Sequence, residues 1–186
     1  MKVALVGMPG GGKSSVGRGL ARQLGLGFAD SDSLIEQRIG GTIRQFFDEH
    51  GEDAFRSLEQ QAITDLLTQP GDAVIATGGG AVLRPSNRAA LRAGATVVYL
   101  HSSPEELFRR LRHDTQRPLL QVADPLRKLR ELYAQRDPAY RQCAHFVLET
   151  GRPSVASLVN MVAMQLELAG VMDGRSGQSA PLNTAN

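Results

Sequence analysis

Short apolar runs alternate along this chain with stretches whose apolar residues recur every three or four positions. The runs "KVALV" (2–6), "LGFAD" (26–30), "AVIAT" (73–77), "ATVVYL" (95–100) and "HFVLET" (145–150) predict five strands. Their near-continuous aliphatic character suits strands covered on both faces. Between them, Lys13 to Leu24 carries Val16, Leu20 and Leu24 on one helical face. "SLIEQRI" and "IRQFFDEH" predict two helical pieces parted by Gly40-Gly41, and Phe55 to Leu67 predicts a longer helix. Pro104 to Leu111 is a helix with proline suited to its first turn, and Val155 to Leu168 closes the pattern as an amphipathic helix. Strands separated by helices imply an α/β fold with parallel pairing and right-handed crossovers.

Composition narrows this picture only a little. The 186 residues suit one domain, expected over 1–171, with 41% hydrophobic and 22% charged residues. No internal repeat is present. Residues 172–186, small and polar from about Gly174, are expected to be a disordered tail. A net charge of +2 argues for neither nucleic acid nor membrane, and no apolar run approaches a membrane span. Cys143 is the only cysteine, so no internal disulfide can form and a reducing compartment is favoured. The four histidines and that cysteine show no metal-ligand spacing.

The chemistry begins at "GMPGGGKSS" (7–15), set after a strand and before a helix. Gly7-x-x-x-x-Gly12-Lys13-Ser14 matches the phosphate-binding loop of nucleoside triphosphate enzymes. Bare backbone lets successive N–H groups converge on one anion, and the helix points its positive end at the same place. Lys13 would reach the β- and γ-phosphates, and the Ser14 hydroxyl would bind Mg²⁺.

Other pairings admit two readings each. Asp30 and Asp32, at the end of the second strand, would face one side in extended chain. One could hold Mg²⁺ and the other accept a proton from an attacking hydroxyl. Ser33-x-x-Glu36 equally fits a helix capping box. Arg56 and Glu59 share a helix face, where Glu59 could steady an anion-binding guanidinium or form a solvated ion pair. "TGGGAV" ends the third strand in Gly78, Gly79 and Gly80, which serve either a close-packed ligand or a tight turn. Residues 109–125, "RRLRHDTQRPLLQVADP", are cationic and punctuated by proline. They read as a phosphate-covering flap with Arg117 as its clamp, or as a surface loop. Arg136, in "QRDPAYR", is by its own pattern only a helix-surface charge.

In order and spacing, "GMPGGGKSS", "FADSD", "FRSLE", "TGGGAV", "TQRPLL" and "RDPAY" together resemble the shikimate kinase family, from Val3 to about Leu168. The resemblance implies a P-loop NTPase fold of the adenylate-kinase-like group. Its five-stranded parallel sheet would have order 2-3-1-4-5, with helices on both faces and a lid at about 110–125. It implies transfer of the ATP γ-phosphate to the 3-hydroxyl of shikimate, with Mg²⁺, in the aromatic amino-acid pathway. By position, Gly10, Gly11, Gly12, Lys13, Ser14 and Ser15 would cradle the nucleotide, with Arg110 and Pro153 flanking adenine. Asp30 would support the metal with Ser14, and Asp32 would grip and activate the shikimate hydroxyl. Arg56 and Arg136 would hold the substrate carboxylate, with Glu59 behind Arg56. Gly78, Gly79 and Gly80 would wall the acceptor pocket, and Arg117 would bridge to the transferring phosphate. Gly11 departs from the family, which usually has Ser, Ala or Cys there. The resemblance also leads us to expect a cytoplasmic monomer that binds neither nucleic acid nor membrane. Two other classes stand beside this reading: another small-metabolite kinase, such as a gluconate kinase, and a nucleotide-dependent switch with no acceptor. The switch would call for a guanine-reading N-K-x-D element, which the chain lacks.

Overall fold

In β1 (Lys2–Val6), Val3 and Leu5 point to one side and Ala4 and Val6 to the other, and all four are fully buried. Both faces of this strand therefore need cover, and the rest of the chain supplies it. The computed structural model describes residues 1–112, 122–151 and 154–172. Arg117, most of the expected lid, Pro153 and residues 173–186 lie outside the described residues.

The elements run β1, α1 (Lys13–Leu24), β2 (Gly27–Asp30), α2 (Ser31–Ile39), α3 (Ile43–Thr68), β3 (Ala73–Ala76), α4 (Pro85–Gly94), β4 (Thr96–His101), α5 (Pro104–Leu111), α6 (Pro125–Cys143), β5 (Phe146–Glu149) and α7 (Val155–Leu168). The strands form one sheet in the order β2-β3-β1-β4-β5, and every pairing is parallel. This is the P-loop NTPase architecture expected from the resemblance. On one face, Val16 and Leu20 of α1 and Leu158, Val162 and Leu166 of α7 pack on Val3, Leu5, Val74 and Val98. On the other, Leu91, Leu107, Leu129 and Tyr140 from α4, α5 and α6 pack on Ala4, Val6, Val97 and Tyr99. A smaller cluster of Ile35, Phe55 and Ala62 joins α2 to α3. Among the described residues no helix is long and apolar enough to cross a membrane.

Four local readings change. The helices expected over 43–50 and from Phe55 are one element, α3, bent at Gly51 (φ 85°, ψ 174°). Those angles exclude an ordinary side chain and turn the helix without ending it. The capping box at Ser33 and Glu36 does not form. Asp30 is the cap, accepting from the Asp32 and Ser33 amides at 3.0 and 3.2 Å, while Glu36 accepts from the Ile43 amide at 3.1 Å. Two helices, α4 and α6, were not predicted from the periodicity at all.

Candidate active site

Parallel strands of this topology end on one edge, and the chain places its polar residues there. The loop after β1 leaves the sheet through Gly10 and Gly12, both with positive φ (81° and 86°). Gly12 is the N-cap of α1. No side chain caps that helix end, so its amides and its positive dipole face the loop's concavity. Lys13 is buried, and its ammonium donates to the carbonyls of Gly7 (2.7 Å) and Met8 (2.9 Å). A cleft of about 300 Å³ opens over this loop. It is lined by Pro9, Gly10, Gly12, Lys13, Ser14 and Ser15 on one side and by Asp30, Asp32, Thr77, Gly78 and Gly79 on the other.

The Ser14 hydroxyl donates to Asp30 Oδ2 at 2.6 Å. The second Asp30 oxygen is occupied by the α2 amides, so Asp30 both caps a helix and faces the loop. A hydroxyl and a carboxylate are hard oxygen donors suited to Mg²⁺, which fills its other positions with phosphate and water. No cluster of three or more His, Cys, Asp or Glu able to hold a metal occurs among the described residues.

Asp32 is half-buried on the first turn of α2. Burial pushes its carboxyl up from an ordinary 3.8 to about 6, and the neighbouring Glu59 and Asp30 add to the rise while Lys13 opposes it. An acid in that range can exchange a proton near neutral pH.

The three glycines after β3 join this cleft to a second group of charges. A Cβ at Gly78 would stand 2.5 Å from Asp32 Oδ1. One at Gly79 would meet the Pro9 ring at 2.8 Å and Arg136 at 3.3 Å. One at Gly80 would overlap the Arg56 guanidinium, with its central carbon 2.5 Å away. Gly78 and Gly80 thus give their volume to Asp32 and Arg56, and Gly79 gives its own to Pro9 with Arg136 close behind, a closer approach than a turn alone requires. The turn is also pinned. The Gly78 amide donates to the buried Ser31 hydroxyl (3.1 Å), Thr77 donates to the Leu5 carbonyl (2.8 Å), and Tyr140 donates to the Gly79 carbonyl (2.5 Å).

The Arg56–Glu59 pair is not solvated. Glu59 is 1% exposed and takes Arg56 Nη1 at 2.8 Å. Burial raises the Glu59 carboxyl and Arg56 draws it back down. Arg56 Nε finds no hydrogen-bond acceptor among the described residues, although Glu52 pairs with it more loosely at 3.5 Å. A buried guanidinium with an unmatched donor beside a bare backbone wall is built to take an anion. Arg136, from α6, reaches the same wall at Gly79. Arg110 stands apart from the cleft at the end of α5. It donates to the Gly151 carbonyl at 3.0 Å and to Ser102 and Thr150 at 3.3 and 3.4 Å.

The structure therefore brings together Gly10, Gly12, Lys13, Ser14, Ser15, Asp30, Asp32, Arg56, Arg136 and the glycine run. Gly11 closes the loop by donating to the Met8 carbonyl at 3.1 Å. Sequence reasoning assigned no role to Ser31, Thr77 or Tyr140. The available signal for Tyr140 was its place one helical turn beyond Arg136.

A helix N-terminus that nests phosphate, beside a cavity offering fixed cations and a titratable carboxylate, defines a P-loop kinase of a small anionic alcohol. The comparisons narrow the class. A family model for shikimate kinase matches residues 9–167. The chain is 59% identical over 173 residues to the shikimate kinase of Paracidovorax citrulli, covering 92% of this chain and 94% of that protein. It is 55% identical over 170 residues to the shikimate kinase of Ralstonia nicotianae, covering 91% and 89%. Among solved structures, shikimate kinase from Acinetobacter baumannii in complex with shikimate matches with a TM-score of 0.85 and 41% identity, covering 92% of this chain and 95% of that one. The chain belongs to the shikimate kinase family.

Proposed function

We propose that the cleft and the glycine wall together transfer the γ-phosphoryl group of ATP to the 3-hydroxyl of shikimate, giving shikimate 3-phosphate and ADP. The reaction serves the pathway to chorismate and the aromatic amino acids. The observation that carries this reading is the glycine run. One turn of bare backbone contacts Asp32, Arg136 and Arg56 through three successive residues, directly beyond the phosphate-binding loop.

Shikimate is a small ring with one carboxylate and three hydroxyls. Arg56 and Arg136 supply cationic forks for the carboxylate, and Asp32 supplies an acceptor for the reacting hydroxyl. A neutral polyol would leave the donors that Arg56 and Arg136 turn toward the pocket without an anion to take them, which is a means of rejecting it. ATP with Mg²⁺ supplies an electrophilic phosphorus whose charge is partly neutralised. Lys13 and the loop amides would hold the phosphate oxygens, while Ser14 and Asp30 would hold the metal. Asp32 orients the 3-hydroxyl and takes its proton as the oxygen attacks. Arg117 and Pro153, with Arg110, belong to the same proposal as the lid clamp and the adenine walls. Transfer of this kind depends mainly on positioning and charge neutralisation.

We extend the reading to a single kinase domain over 1–171 that works as a monomer in the cytoplasm without nucleic-acid or membrane partners. Cys143 is the only cysteine, so the chain holds no internal disulfide, which suits a reducing compartment. The direct test is ADP release measured with shikimate, gluconate and no acceptor, with and without Mg²⁺. Release that shikimate does not accelerate would overturn the proposal.

Arg56→Ala is expected to raise the Michaelis constant for shikimate by roughly 10- to 150-fold, corresponding to a lost charge-assisted contact of about 1.5–3 kcal/mol. The constant for ATP should change little. Because the substitution also strands the buried Glu59, Arg56→Lys is the companion variant. It keeps the charge and should recover part of the loss. An unaltered shikimate constant in Arg56→Ala would remove the carboxylate fork from the mechanism.

Gly80→Ala tests the wall without deleting a charge. The added methyl overlaps the Arg56 guanidinium, so Arg56 must leave its place. The expected result is at least a tenfold rise in the shikimate constant, with melting temperature lowered by only a few degrees. Equal losses for ATP and shikimate would argue against a wall specific to the acceptor.

A further inference from the structure

Tyr140 is fully buried on α6, four residues beyond Arg136, and it has no part in the roles assigned above. Its hydroxyl donates to the Gly79 carbonyl at 2.5 Å. Arg136 lies over the α-carbon side of the same glycine. Two residues one helical turn apart thus meet the same glycine, Tyr140 through a hydrogen bond and Arg136 by close approach. The phenol oxygen has spent its proton on Gly79 and keeps lone pairs to accept from a guanidinium. Burial pushes the phenol up to about 12, and the neighbouring Arg136 guanidinium opposes that rise.

The local backbone gives this contact work to do. Pro138 lies inside α6 between the two residues. It has no N–H to give the carbonyl four residues back, so the turn carrying Arg136 is a weak point of the helix. A side-chain tie from that turn to the sheet can set what the backbone ladder leaves loose. The neighbouring tyrosine offers a contrast. Tyr99 stacks near Tyr140, with ring centroids 4.9 Å apart, but its hydroxyl goes to Asp137 at 2.8 Å. Asp137 also takes Arg141 at 3.0 Å, so it keeps a partner if Tyr99 is lost.

We infer that Tyr140 is a positioning residue for the acceptor site, holding the Gly79 peptide and the Arg136 guanidinium at the separation that admits a ring carboxylate. The inference rests on the reading of Arg136 as a carboxylate-binding residue. It goes further by assigning the wall's dimension to a phenol that touches no substrate.

The experiment compares Tyr140→Phe, Tyr99→Phe, Arg136→Ala and the Tyr140→Phe/Arg136→Ala pair, with ATP and shikimate varied separately. Tyr140→Phe keeps the ring and removes one hydrogen bond. The shikimate Michaelis constant should rise about 3- to 10-fold while that for ATP stays within about twofold. Tyr99→Phe, on β4, also loses a phenol hydrogen bond to this helix. It should lower the melting temperature and leave the shikimate constant within about twofold. With Arg136 already removed, adding Tyr140→Phe should raise the constant by less than about twofold, since contacting residues do not act additively. A full, undiminished rise in that background overturns the inference, because Tyr140 would then act independently of Arg136. If Arg136→Ala leaves the shikimate constant unchanged, the carboxylate reading fails and the inference falls with it. If Arg136→Ala raises the constant and Tyr140→Phe does not, the inference alone fails.

A second measurement does not depend on Tyr140→Phe folding. The chain has three tyrosines and no tryptophan, so Tyr99→Phe/Tyr133→Phe leaves Tyr140 as its single near-ultraviolet tyrosine. Titrating shikimate into that variant should perturb the tyrosine absorption as the carboxylate draws on the shared guanidinium. A flat titration at saturating shikimate overturns the inference.

Discussion

Lys13→Met should lower kcat by roughly 10²- to 10³-fold, the usual loss when one charge-stabilising donor is taken from a transition state. Methionine keeps most of the stem's volume and removes the ammonium. In the folded protein that ammonium is buried and bonded to the Gly7 and Met8 carbonyls, so it sits at the mouth of the phosphate nest. Losing those bonds should cost about 1 kcal/mol each in stability. A melting temperature lower by several degrees is therefore expected, well short of unfolding. The variant carries a second signature. The Lys13 charge opposes the rise of the Asp32 carboxyl. Without it, Asp32 should take up its proton at a higher pH, and the acid limb of the residual activity should move up. A kcat within tenfold of the parent would remove Lys13 from phosphate transfer, whatever the pH profile did.

The parts of the fold legible in the sequence are those with a strong period or a strong local rule. The central strands β1, β3 and β4 were readable because a parallel sheet covered on both sides demands unbroken apolar runs, whereas the edge strands β2 and β5 are only partly buried and were read from shorter apolar runs. The helix α1 was readable because Val16 and Leu20 repeat against a polar background and the loop motif fixes its start. Two helices were not. In α4, "PSNRAALRAG", only Asn87 and Leu91 are buried, which is too few to show a stripe. In α6 the buried residues Leu129, Tyr140 and Cys143 are spread over 19 residues, arginines fill the gaps, and Pro138 breaks the expected helical grammar. The separation of "IRQFFDEH" from the helix beginning at Phe55 misled in the opposite direction. It reads as a break, yet the helix only bends at Gly51 because neighbouring apolar residues hold both halves on one cluster.

The candidate site divides along the same line. The phosphate side is contiguous in sequence, so a single motif carries it. The acceptor side is assembled from α2, α3, α6 and the turn after β3, and no spacing rule connects Arg56 with Arg136. The resemblance supplied that link, and the glycine wall gives it a physical basis, since Arg56 occupies space that a Cβ at Gly80 would fill and Arg136 closely approaches Gly79. Whether Glu59 was a surface partner or a buried support was equally invisible, because three-residue spacing describes both. Burial decides it, and the buried carboxylate then fixes the Arg56 rotamer as a solvated one would not.

Asp32→Asn should cost kcat about 10²-fold or more while making the free protein more stable, a pair of effects that a purely structural residue does not produce. Asparagine keeps the shape and can still orient a hydroxyl, but it cannot take a proton at neutral pH. The stability gain follows from the direction of the pKa shift. Burial, with Glu59 and Asp30 nearby, lifts the carboxyl from 3.8 to about 6. The folded state therefore holds this proton more tightly than the unfolded state. The stabilisation is complete below about pH 4 and is lost as pH rises through about 6. Above that window the ionised side chain costs the fold at most roughly 3 kcal/mol, the free-energy equivalent of the shift. Asn carries no such cost, so its melting temperature should exceed the parent's by several degrees at pH 8 and match it near pH 4. The same titration governs activity. In the parent enzyme, kcat/KM for shikimate should fall as pH drops below about 6, where Asp32 already carries a proton and can no longer take that of the 3-hydroxyl. The Asn variant should lack that limb. Two results would count against this assignment: a variant less stable than the parent at pH 8, or one that keeps the parent's kcat. The first would mean that the carboxylate is well solvated or paired, and the second that the hydroxyl's proton leaves by another route.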